Sequence, residues 1–124
     1  MSVDDQTMDI RVKSVNSNLT LTKSHSYLYV KTDGGAVDIT LPQGYGGSTS
    51  VGQTYIIKRN GPNNVNITHH SNDRIVVGTS MNNYSSPPYT LSNGNVIWVL
   101  YAGSFGDPAE GEWHIIAEFD GTIG

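Results

Sequence analysis

The sequence predicts an all-β protein, an antiparallel β-sandwich of jelly-roll type. Three observations carry that prediction. Short apolar-rich segments follow a period of two, as in Val37-Asp38-Ile39-Thr40-Leu41, Tyr55-Ile56-Ile57-Lys58-Arg59 and Val96-Ile97-Trp98-Val99-Leu100-Tyr101. That period sends one row of side chains into a core and the other toward solvent. Each segment ends at residues with explicit turn chemistry: Pro42, Asn60-Gly61-Pro62 and Ala102-Gly103. Gly tolerates positive φ, Pro fixes its own φ, and Asn hydrogen-bonds its own backbone. No stretch shows sustained helical periodicity, and many short strands with frequent turn signals read as a sandwich or barrel.

Taken in order, residues 1–7 are polar and acidic and are expected to be loose, with a single β domain over 8–124. Met8, Ile10 and Val12 alternate with Asp9, Arg11 and Lys13 as a first strand. Leu19 and Leu21 follow the turn Asn16-Ser17-Asn18. Tyr27 to Val30 and Val37 to Leu41 flank Asp33-Gly34-Gly35, a hairpin signal. Tyr55 to Arg59 and Val65 to Thr68 flank Asn60 to Asn64 and read as a second hairpin. Ile75 to Val77 is a brief strand, and Tyr89 to Leu91 leads through Ser92-Asn93-Gly94-Asn95 into Val96 to Tyr101, the most apolar and central strand. Trp113 to Phe119 closes the domain. Loops are expected at Gln43 to Ser50, Ser80 to Pro88 and, acidic in character, Ser104 to Gly111. No repeat of fixed length stands out.

With 124 residues the chain is long enough for one core. Only 15% of residues are charged, against roughly 25% in ordinary globular proteins. The surface is therefore built largely from Asn, Ser, Thr and Gly, which suits exposed β proteins and neutral, hydroxyl-rich ligands such as sugars. The net charge is −4 and Lys58-Arg59 is the lone adjacent basic pair, which argues against phosphate-driven nucleic-acid binding. No apolar run approaches the roughly 20 residues of a spanning helix, and the start Met1-Ser2-Val3-Asp4-Asp5 has no secretory signature. The absence of cysteine excludes disulfides and thiolate metal sites. It leaves burial between subunits as one route to stability.

The succession Asp33-Gly34-Gly35-Ala36-Val37-Asp38-Ile39-Thr40-Leu41-Pro42, then Val51-Gly52-Gln53-Thr54-Tyr55-Ile56-Ile57-Lys58, then Asn64-Val65-Asn66-Ile67-Thr68 resembles a recurring β domain of bacteriophage tail fibres and related viral appendage proteins. Asp73-Arg74-Ile75 with Gly78, Tyr89-Thr90-Leu91 and Trp113-His114-Ile115-Ile116 extend the resemblance over about residues 27–119. It implies a homotrimer, contacts with other virion proteins, assembly in the host cytoplasm, a place on the virion, and attachment to a host-surface glycan or receptor. Its motifs are turn and core residues, so it assigns no ligand. A carbohydrate-binding module of a secreted enzyme and a purely structural virion part are the competing expectations.

The candidate chemistry is sparse. Adjacent His69 and His70 would point to opposite faces of a strand, and with His25 and His114 they form no chelating spacing, so neither metal nor cofactor is expected. Asp107, Glu110 and Glu112 read as a solvated acidic loop, as a carboxylate pair for glycoside chemistry, or as calcium ligands, though without EF-hand spacing. Gly46-Gly47-Ser48-Thr49-Ser50 lacks the second Gly of a nucleophile elbow, and no phosphate-binding loop is present. The chain is expected not to be an enzyme. Tyr45 and Tyr84 lie in polar loops, where an exposed ring stacks on a sugar face or packs its own loop. Asn82, Asn83 and Asp107 could supply hydrogen bonds beside them. Trp98 and Trp113, inside apolar strands, are expected in the core.

Overall fold

The structure is a computed structural model and describes residues 12–77, 89–91, 94–106 and 109–120. The loose segment 1–7 and most of the expected strand from Met8 lie outside these residues. Ten strands are present: β1 (Val12–Val15), β2 (Leu19–Thr20), β3 (Tyr27–Lys31), β4 (Val37–Thr40), β5 (Thr54–Asn60), β6 (Val65–Thr68), β7 (Asp73–Val76), β8 (Tyr89–Leu91), β9 (Asn95–Phe105) and β10 (Glu110–Asp120). Among the described residues there is no helix. The strands form a six-stranded sheet, β1-β3-β5-β9-β10-β7, and a four-stranded sheet, β2-β4-β6-β8. The expected all-β sandwich is therefore the architecture.

Its topology corrects the antiparallel, jelly-roll expectation. From β1 to β8 the chain steps alternately between the two sheets. Strands two apart in sequence pair in parallel: β1 with β3, β3 with β5, β2 with β4, and β4 with β6. A parallel pair needs a long crossover, and here the crossover is the strand in the facing sheet. The first six strands are thus three stacked coils. The two expected hairpins are instead arches that carry the chain from one sheet to the other. Period-two alternation explains the error: it states which side chains face inward, not which of two sheets a strand joins. Leu28 and Val30 on β3 and Val37 and Ile39 on β4 all point into one core, from opposite sides.

The direction of the chain is reversed in β8 and β9. Strands β5 and β9 are antiparallel, as are β6 with β8 and β9 with β10, while β7 pairs in parallel with the edge of β10. The expected acidic loop from Ser104 to Gly111 is also corrected. Ser104 and Phe105 belong to β9, and Glu110 and Gly111 to β10.

The core lies between the sheets. Leu21, Leu28, Ile39, Ile57, Ile67, Ile75, Leu91 and Ile97 are fully enclosed. Trp113 is its largest side chain, with the rings of Tyr55 and Tyr101 centred 5.8 and 5.1 Å away. The core expectation holds for Trp113 and fails for Trp98. Ile97 and Val99 turn inward on β9, so Trp98 between them turns outward and is 42% exposed. An unbroken apolar run such as Val96 to Tyr101 does not itself say which of its two rows is buried.

Candidate functional site

Tyr45, the one candidate ligand-contact residue among the described positions, is carried by the loop that follows β4. Its ring is 43% exposed. The loop is held by the carboxylate of Asp73, which is itself buried at the start of β7. Asp73 Oδ2 accepts the Gly44 amide at 2.7 Å and Oδ1 accepts the Tyr45 amide at 2.9 Å. Gln43 donates its side-chain amide to the Tyr45 carbonyl at 2.9 Å, and Thr49 donates its hydroxyl to the Gln43 carbonyl at 2.7 Å. A hydrogen bond to a charged group contributes about 1.5–3 kcal/mol, so Asp73 is the strongest single tie on this loop.

Two glycines make the approach possible. A Cβ at Gly44 would meet the Tyr101 ring at 2.2 Å, and a Cβ at Gly111 would meet Asp73 Oδ1 at 2.1 Å and the Tyr45 amide at 2.9 Å. The inner wall of the same loop borders a cavity of about 200 Å³, lined by Leu21, Pro42, Ser48, Thr49, Gln53 and Tyr55 among others. Burial pushes the Tyr55 phenol up to about 12. It stays protonated and donates to the Thr22 carbonyl at 3.0 Å, closing the cavity floor with a satisfied group.

A second polar system ties the far arches together. Arg59 is buried, and its guanidinium donates to carbonyls of three residues: Gly61 at 3.1 Å, Pro62 at 2.9 Å and Leu91 at 2.6 Å. Arg59 therefore links the arch between β5 and β6 to strand β8. Buried Thr32 stacks the preceding arch on the same place, because its hydroxyl accepts the Asn63 amide at 3.2 Å and its own amide donates to the Asn60 carbonyl at 3.1 Å.

The third system lies where β7 meets β10. Glu112 is buried between Arg74 and His114. Oε2 accepts Arg74 Nε at 3.0 Å and also Arg74 Nη2. Oε1 lies 3.0 Å from His114 Nε2. An ionised carboxylate only accepts, so Nε2 is the protonated ring nitrogen of His114. Burial pushes the Glu112 carboxyl up, but the hydrogen bonds from His114 and Arg74, with their charge, outweigh it and hold the group below its ordinary value. Glu110 lies 3.6 Å from Arg74 Nη1.

Of the expected site residues, Asn82, Asn83, Tyr84 and Asp107 lie outside the described residues. The expected grouping of Glu110 and Glu112 in a loop is corrected, because both are strand residues and Glu112 is buried and paired across to β7. His69 Nδ1 lies 2.8 Å from the His70 carbonyl, and His70 Nδ1 accepts the Asn72 amide at 3.1 Å. Each ring closes a local turn. Among the described residues no group of three or more His, Asp or Glu side chains is arranged to hold a metal ion. Sequence reasoning did not single out Asp73, Arg59 and Thr32 as the residues that position loops. A charged or hydroxyl residue at an inward-facing place, such as Arg59 two residues beyond Ile57, was the available signal. No protein-family model, curated protein or solved structure matches this chain.

Proposed function

We propose that the chain is a non-enzymatic presentation domain of a viral appendage, a tail-fibre or spike-like module that takes part in host attachment. One observation carries the reading. Buried Asp73, Arg59 and Thr32 each fasten a surface loop or arch to the sandwich. Desolvating such groups costs free energy unless every one is hydrogen-bonded. Their use here ties the loops to the strands, and recognition residues are commonly carried on loops positioned by such a rigid scaffold. Asp73 and Glu112, the two carboxylates buried among the described residues, are engaged by backbone amides and by Arg74 with His114, which leaves them poorly placed for acid–base work. The resemblance to tail-fibre domains supports the viral assignment, and a homotrimer on the virion would multiply weak single-site contacts into avidity.

Binding of the purified protein to host cells and to a glycan array tests the reading. Retained binding by the assembled protein, with weakening by Tyr45→Ala at unchanged circular dichroism, is the expected outcome. A stable assembly that binds neither cells nor glycans would instead indicate a structural virion part. Glycan binding by a clean monomer would indicate a carbohydrate-binding module.

A further inference from the structure

The two outer faces of the sandwich differ: one carries a polar row, and the other an apolar patch bordered by Lys58, which pairs with Val96. On the four-stranded sheet the outward row is polar: Asp38, Thr40, Asn66, Thr68 and Thr90. These side chains bond to one another across strands, Asn66 to Asp38 at 3.0 Å, Thr90 to Asn66 at 2.9 Å and Thr40 to Thr68 at 2.7 Å. On the six-stranded sheet the registers align Tyr27, Ile56, Trp98 and Ala117 in one row across four strands. Val96 and Leu100 flank Trp98 along β9, and Phe119 packs edge-on against the Trp98 ring at 6.1 Å. Ile116 sits at a bulge in β10, between the paired residues Ile115 and Ala117. A bulge re-aims side chains locally, and Ile116 is left exposed.

From this asymmetry we infer that the outer face of the six-stranded sheet, centred on Trp98, is where copies of this chain pack against each other. Trp98, Ile116 and Phe119 are 42, 49 and 51% exposed. On this face the Trp98 and Phe119 rings together present about 200 Å² of apolar surface, given about 150–250 Å² for each aromatic side chain. Their half-buried neighbours bring the patch to about 400 Å², within the roughly 300–600 Å² of the largest patch on a typical monomer. A partner in a standard interface contributes about 800 Å², of which about 57% is apolar, hence about 450 Å². The patch matches that share. Trp is also among the residue types enriched at interface hot spots. The occupant is a second copy, because assembly of the chain with itself is already part of the proposed function and this is the face whose area can supply it. The inference rests on that assembly, not on the receptor.

Light scattering joined to size exclusion, over a micromolar concentration series of the full chain, tests it. Wild-type protein is expected to associate, and Trp98→Lys to weaken association by about thirtyfold or more, the effect of losing one hot spot. Thr90→Lys, on the polar face, is expected to change nothing. Because Trp98 is a surface residue, circular dichroism of Trp98→Lys should match wild type. Tryptophan emission gives a second readout. Association should shift it to the blue with rising concentration, and Trp98→Phe should abolish the shift, since Trp113 is already buried. A wild-type monomer throughout, or an oligomer indifferent to Trp98→Lys, would overturn the inference. A dimer lost in Trp98→Lys would uphold this face and contradict the three-fold assembly, while loss of receptor binding alone would bear only on attachment.

Discussion

Asp73 and Arg59 do their structural work through charge-assisted hydrogen bonds to backbone, and each is sensitive to a conservative change. In Asp73→Asn one carboxylate oxygen becomes an NH₂ group that cannot accept an amide proton. The loop then loses either the Gly44 or the Tyr45 bond, and the protein is expected to lose about 2 kcal/mol in urea unfolding. Arg59→Lys keeps the charge but replaces a planar fork with a single point donor set. A lysine cannot reach the carbonyls of Gly61, Pro62 and Leu91 together, so about 3 kcal/mol of destabilisation is expected from the same measurement. Glu112 adds a pH dependence. Its folded value lies below the ordinary 4.5 of the free carboxyl. The stability it contributes is therefore fully present above pH 4.5 and is lost as the pH falls through the folded value. Thermal unfolding across this range should show a steeper acid decline in wild type than in Glu112→Gln.

The arches are the elements on which the topology turns. Gly61 adopts φ +140°, and a Cβ there would come within 2.5 Å of Thr32 Oγ1. Gly61→Ala strains the backbone and separates the two stacked arches at once, so a loss of about 2–4 kcal/mol is expected by denaturant titration. These arches also show how far a sequence can be read. The spans of β3, β4, β5, β6 and β8 were legible because turn residues bound each alternating run. The pairing was not, because Asp33-Gly34-Gly35 and Asn60-Gly61 suit an arch as well as a hairpin. Nor was a repeat visible. The stacked strands are offset by 15 and 29 residues in one sheet, from Val12–Tyr27 and Tyr27–Ile56. In the other they are offset by 20 and 28, from Leu19–Ile39 and Val37–Val65. Loops of unequal length hide a coil that the strands preserve. Of the candidate site, Tyr45 was legible as an aromatic in a Gly-rich loop. Its anchor Asp73 was not, because their link spans 28 residues.

Taken together, three parallel coils are closed by the antiparallel strands β9 and β10, with polar ties at the loops and an aromatic patch on one outer face. The proposed role follows from that distribution: a stiff body whose firm loops meet a receptor and whose aromatic face meets other copies. Stiffness of the loops is the claim on which the rest stands, and site-resolved amide hydrogen exchange of the native protein measures it directly. The Gly44 and Tyr45 amides, both bonded to buried Asp73, should open only with large-scale unfolding and exchange as slowly as core strand amides such as Ile57. Exchange of those two amides at rates close to an unstructured chain, while Ile57 stays protected, would contradict it.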